Sequence, residues 1–121
     1  IFVSPIKTSD LALVTSGDYQ RYFELDGRRY SHLIDPRSAR PVDHTQAVTV
    51  LIPAGAQAGT LSDASSKPIF IAGPDGWREM ARTMGSELVL RVDRDQRIEV
   101  TAALHKRLEY IGQRPAITVI P

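Results

Sequence analysis

The sequence predicts an α+β domain, a mostly antiparallel sheet with two to three helices. Three observations carry this prediction. Short apolar or β-branched runs are joined by hairpin-type turns at Asp26-Gly27 and Asp95-Gln96 more often than by crossovers. Two stretches, Leu61–Ala72 and WREMARTM from Trp77, read as helices. A length of 121 residues, 42% of them hydrophobic and 24% charged, suits one domain (1–121) that buries roughly two-thirds of its unfolded surface.

In chain order, Ile1–Asp10 is a lead-in interrupted by Pro5, with room for one edge strand. LALVTS (Leu11–Ser16) is apolar enough for a buried strand and ends at Ser16-Gly17-Asp18. Phe23–Leu25 and Arg28–Ile34 form a hairpin, with Tyr19, Tyr22, Phe23 and Tyr30 as an aromatic cluster near its tip. Such clusters usually pack at a core edge, and Tyr22 and Phe23 are read that way. Ala47–Ile52 is a central strand, and PAGAQAG a loop. Proline fits a helix only near its start, so Pro68 implies that the helix over Leu61–Ala72 begins around Ser65–Ser66 or is kinked there. In both cases Asp63 stands at or just before a helix N-terminus, near free backbone N–H groups.

Gly73-Pro74-Asp75-Gly76 is a turn, with Asp75 as N-cap of a short helix that stops at Gly85. Trp77, Met80, Ala81 and Met84 share its core-facing side. ELVLRVD and RIEV alternate as a second hairpin, Ala102–Tyr110 is helical, and PAITVIP closes with a strand.

Composition removes several function classes. A net charge of +1 gives no electrostatic case for nucleic acid or an anionic membrane. No apolar run approaches the roughly 20 residues of a membrane span. Cysteine is absent, which excludes disulfides and thiolate metal sites. His44 and His105 have no partner spacing that suggests zinc.

The segment most dense in chemistry is YSHLIDPRSARP (Tyr30–Pro41). Pro36 pushes Asp35 out of the α region, so a strand ending at Ile34 delivers Asp35-Pro36 into a turn at the sheet rim. Rims are where scaffolds present functional groups. Asp35 is expected to order that turn by accepting backbone N–H bonds. His32 is either a hydrogen-bonded rim residue or a general base facing a cleft. The small residues Ser16 and Gly17 allow either close backbone approach to a phosphate or a plain strand-ending turn. Asp63 is either an N-cap or a hard oxygen ligand.

SHLIDPRSARP resembles the H-x-I-D-P-x-T-G-x-P signature of the ApbE-type FAD:protein FMN transferases. TSGDYQRYFELDGRRY is similar to that family's T-S-G-x-Y-x-R hairpin, HTQAVTVLIP to its V-S-V-T-V strand, and LSDASSKPIFIAG to its A-D-x-x-x-T helix start. The four stretches follow the family order from Thr15 to about Gly73. The resemblance implies Mg²⁺-assisted transfer of FMN from FAD to a threonine hydroxyl of a target flavoprotein, outside the bacterial cytoplasm at the periplasm. By the same resemblance, Thr15, Ser16, Gly17, Tyr19 and His32 contact the flavin cofactor, His32 and Asp63 are catalytic, and Asp63 binds the metal. Family members are much longer, so the chain is expected to be the C-terminal part of a larger protein, with the flavin held jointly with a preceding half.

Two departures from the pattern stand out. Ser38-Ala39 replaces Thr-Gly. Lys67 stands where D-x-x-x-T places a metal-ligating hydroxyl; a lysine ammonium has three donors and no acceptor, and at i+4 it is placed to pair with Asp63 instead. Lys67 favours, over a working transferase, a flavin-binding or maturation partner that no longer transfers; the intact SHLIDP and TSGDY segments argue against a further alternative, a structural interaction domain without flavin.

Overall fold

A computed structural model describes residues 11–17, 22–109 and 116–121. Its strands are β1 (Leu11–Gly17), β2 (Tyr22–Leu25), β3 (Arg28–Ser31), β4 (Ile34–Asp35), β5 (Arg40–Pro41) and β6 (Thr45–Pro53). Helix α1 (Ala58–Thr83) follows, then β7 (Leu88–Asp93), β8 (Ile98–Thr101), the single turn α2 (Ala102–His105) and β9 (Ile117–Ile120).

Five strands form the main sheet in the order β1-β6-β7-β8-β9, while β2-β3 and β4-β5 are separate two-stranded ribbons. Every pairing is antiparallel except β8 with β9. This is the α+β, mostly antiparallel architecture expected from the sequence.

Alternation divides the sheet into two faces. Val48, Val50 and Val89 pack under α1 with Ile69, Phe70, Trp77 and Ala81. Leu51, Leu88 and Val100 turn the other way and meet Leu104 of α2. Ser62, Ser65 and Ser66 line the sheet-facing side of α1 and are buried; Ser62 Oγ donates to the Val50 carbonyl at 2.8 Å. Their small hydroxyls let the helix lie close over the sheet.

Several expectations are corrected. Among the described residues β1 is the sheet edge rather than a buried strand, and Leu13 on its outer face is 52% exposed. The second hairpin arm stops at Ser31, not Ile34: Ser31 Oγ accepts the Leu33 N–H at 3.0 Å and turns the chain, so Ile34–Asp35 pairs with Arg40–Pro41 as its own ribbon. Tyr22 and Phe23 are exposed rather than packed at a core edge.

The helix starts at Ala58, with Gln57 as cap, because Ala58 and Ser62 both find burial against the sheet. Pro68 therefore sits in its interior. The carbonyl left without a helical donor is that of Ala64, on the solvent side. The anticipated turn Gly73–Gly76 shrinks to a break at Gly73 (φ 79°, ψ −172°), after which Pro74 opens the second stretch. Met84 lies past the end of α1 and is exposed. The helix expected over Ala102–Tyr110 ends at His105, and Tyr110 lies outside the described residues.

Candidate functional site

Ser16 pairs in register with Val48, so its side chain points to the α1 side of the sheet. There Ser16 Oγ meets Ser66 Oγ at 2.7 Å, and Ser66 Oγ donates to the Asp63 carbonyl at 2.9 Å. A hydroxyl has one hydrogen, and that of Ser66 is committed to Asp63, so Ser16 is the donor between the two serines. The Ser16 oxygen keeps acceptor capacity, and Gly17 next to it ends the strand.

Asp63 and Lys67 rise from the outer side of the same helix segment. Lys67 Nζ lies 2.6 Å from Asp63 Oδ1 and 3.3 Å from the Asp63 carbonyl oxygen. Their side chains are 59% and 44% exposed. Because α1 begins at Ala58, Asp63 is inside the helix and not at its N-terminus, so the free backbone N–H groups expected beside it belong to the turn before it. Among the described residues no group of three or more His, Asp, Glu or Cys gathers in a metal-holding arrangement.

Thr15 points to the opposite face from Ser16, where its hydroxyl bonds Thr49 Oγ1 at 2.8 Å. The structure thus brings Ser16, Ser66, Asp63 and Lys67 together and leaves Thr15 outside that group. His32 lies on the bend between β3 and β4, exposed to solvent. Tyr19 lies outside the described residues.

The turn after His32 is held by Asp35. Its Oδ1 accepts both the Arg37 backbone N–H (2.9 Å) and Arg37 Nε (3.0 Å), while Oδ2 accepts Arg37 Nη2 at 2.8 Å. The Arg37 side-chain bonds, then its backbone bond, hold the Asp35 carboxyl below the usual carboxylate range. The Ser38 and Ala39 N–H groups also return to the Asp35 carbonyl, at 3.3 and 2.8 Å. Ala39 closes the turn with φ 56°, the left-handed conformation that favours glycine.

Sequence reasoning assigned His44 no role and passed over Arg91; the structure makes both part of the brace under this segment. Arg91 is 1% exposed and bonds Glu99 Oε2 at 2.7 Å, Thr45 Oγ1 at 2.9 and 3.2 Å, and the His44 carbonyl at 3.0 Å. Thr45 Oγ1, already accepting from Arg91, meets His44 Nδ1 at 2.8 Å. Burial first, then the Arg91 charge, pushes the His44 imidazolium to lower pKa. The ring lies against the Gly73 break: a Cβ there would be 3.2 Å from His44 Cε1 and Nε2. A signal did exist in the pattern, since Arg91 falls on the same strand face as the core residue Val89 and sits opposite Glu99 across the second hairpin.

A family model described as the ApbE family matches residues 2–90. A FAD:protein FMN transferase of Rhodobacter capsulatus is 45% identical over 111 residues, which is 90% of this chain and 20% of that protein. One from Escherichia coli (strain K12) is 42% identical over 72 residues, 59% of this chain and 19% of its own length. Among solved structures, the ApbE protein of Thermotoga maritima superposes with a TM-score of 0.66 at 35% identity, over 80% of this chain and 31% of that one. The flavin transferase ApbE of Vibrio cholerae gives 0.65 at 28% identity, over 85% and 32%. The chain therefore matches 19% to 32% of the length of these relatives.

Proposed function

Because this chain belongs to the ApbE family, we propose that it forms part of a protein that transfers FMN from FAD to a threonine hydroxyl of a target flavoprotein. The carrying observation is the 2.7 Å contact between Ser16 and Ser66, which joins two separately family-like stretches, TSG and DASSK, at one end of the sheet. The relatives with this likeness are named FAD:protein FMN transferase.

In this reading the threonine oxygen attacks the flavin-side phosphorus of FAD, a P–O bond of the pyrophosphate breaks, and AMP leaves with the electron pair. His32 takes the hydroxyl proton. Ser16 and the Gly17 backbone approach the phosphates, and the Asp35–Arg37 clasp holds the segment bearing His32 in place. The flavin ring is held jointly with the part of the fold outside this chain. The cell compartment of this reading is the periplasm; no described helix is long and apolar enough to cross a membrane.

Mg²⁺, which the family pattern implies, does not fit the residues as they stand. One oxygen of the Asp63 carboxylate is taken by the Lys67 ammonium, and no group of three or more His, Asp, Glu or Cys side chains gathers to hold a metal among the described residues. This pair favours a second reading, a flavin-binding or maturation partner that has lost transfer.

Incubating the parent protein with FAD and a threonine-bearing target, with and without Mg²⁺, separates the two. In-gel flavin fluorescence on the target supports transfer. FAD binding without covalent labelling supports the second reading, and absence of both sinks the two together.

A further inference from the structure

We infer that the aromatic face of the β2–β3 ribbon is a docking surface for the part of the ApbE fold that this chain does not span. The register Phe23↔Tyr30 and Leu25↔Arg28 puts these four residues on one face. Phe23 and Tyr30 stack with ring centroids 5.2 Å apart and planes 13° from parallel. Arg28 lies 5.6 Å over the Tyr30 ring and bonds Asp43 at 2.9 Å, tethering the ribbon to the segment entering β6. The platform is thus ordered, yet Phe23 is 49% and Leu25 58% exposed.

A two-stranded hairpin on its own is marginal in water, and large side chains on one of its faces stabilise it only when something covers them. All four residues of β2 are exposed, and among the described residues the ribbon pairs with no strand of the main sheet. Aromatic side chains with an arginine among them are the composition of interface cores.

The occupant follows from the length comparison. The Thermotoga maritima structure superposes on 80% of this chain, which nevertheless makes up only 31% of that polypeptide. Most of that fold is polypeptide with no counterpart here, and it shares a boundary with the region that superposes. A second copy of this chain is the competing occupant. The inference rests on family membership and not on flavin transfer, so loss of transfer leaves it standing.

The chain contains no cysteine, so a single Leu25→Cys variant reports on this face alone. Its maleimide labelling rate is compared between residues 1–121 and the same residues put in place of the matching stretch of the full-length Rhodobacter capsulatus relative, with that relative's own cysteines replaced. Asp95→Cys, in the turn between β7 and β8, is the reference, and Phe23→Cys repeats the measurement at the neighbouring position. The expected result is labelling slowed at least tenfold in the chimera at positions 23 and 25 relative to position 95. Slowing no greater than at position 95 overturns the inference. Protection already present in residues 1–121 that rises with their concentration also overturns it, and assigns the face to a second copy.

Discussion

Lys67 Nζ rests 2.6 Å from Asp63 Oδ1, one helical turn along α1. The pair is exposed, so it adds only about 0.3–0.5 kcal/mol to helix stability. Its larger effect falls on cations. A divalent ion about 4 Å from a fixed ammonium meets roughly 2 kcal/mol of repulsion in water-like surroundings, about thirtyfold in affinity. Lys67→Thr should therefore raise Mg²⁺ affinity by about that factor while changing stability by less than about 0.5 kcal/mol. Calorimetric Mg²⁺ titration of both proteins checks it, and equal affinities would show that the ammonium does not control this carboxylate.

Ala39 occupies a left-handed position, φ 56°, where the family signature has glycine. Left-handed backbone costs an L-residue roughly 1–2 kcal/mol, partly offset by the extra freedom glycine gives the unfolded chain. Ala39→Gly should gain about 0.5–1 kcal/mol in urea denaturation. A loss of stability would mean that the turn does not hold this conformation in solution.

Gly73 is constrained twice, by φ 79° and by the His44 ring where a Cβ would stand. Gly73→Ala should cost about 2–4 kcal/mol from backbone strain and crowding together. Adding His44→Ala relieves the crowding and leaves the strain, so the double variant should cost less than the sum of the singles. Strict additivity in the double-mutant cycle would argue against the contact.

Among the described residues, His44 and Asp35 shape the acid limb of stability. His44 has a folded pKa below its usual 6.5. The unfolded chain therefore binds a proton first, and stability falls as pH drops below about 6.5 towards the folded value. His44→Gln should flatten this limb. Asp35 also has a lowered folded pKa, so its contribution is present above its usual value of 3.8 and is lost as pH falls through the folded one. Asp35→Asn should remove only the lower, more acidic part of the dependence. Denaturation midpoints measured from pH 8 to pH 3 distinguish the two.

What the sequence revealed follows the range of the interactions involved. Asp26-Gly27 was legible as a turn because its chemistry is local, and both residues take positive φ, 52° and 75°. The Asp35 clasp and the Asp63–Lys67 pair were legible for the same reason, spanning two and four residues. The ApbE likeness was legible because its motifs are short and ordered. By contrast, the Ser16–Ser66 contact joins residues 50 apart. The start of α1 at Ala58 is decided by burial against the sheet, a tertiary effect that overrode the proline rule at Pro68. Arg91 drew no notice in the sequence because its partners Thr45, His44 and Glu99 close around it only in the folded chain.

The pairing of Gly17 with Ala47 means that the chain leaves the sheet and re-enters it at the same end. Everything between, both ribbons and the SHLIDP segment, is one long excursion from neighbouring strands. Its clearest peg in the core is Val42, which packs with Val48 and Val50 and whose N–H bonds the Leu33 carbonyl at 2.9 Å. The excursion is nevertheless not a free-standing cassette, because its returning end is braced by Arg91 and the Gly73 break, which both lie beyond it in the chain. A graft cut at Gly17 and Thr45 would hold the signature in place only on a sheet that also supplied that buried arginine and that gap in the helix.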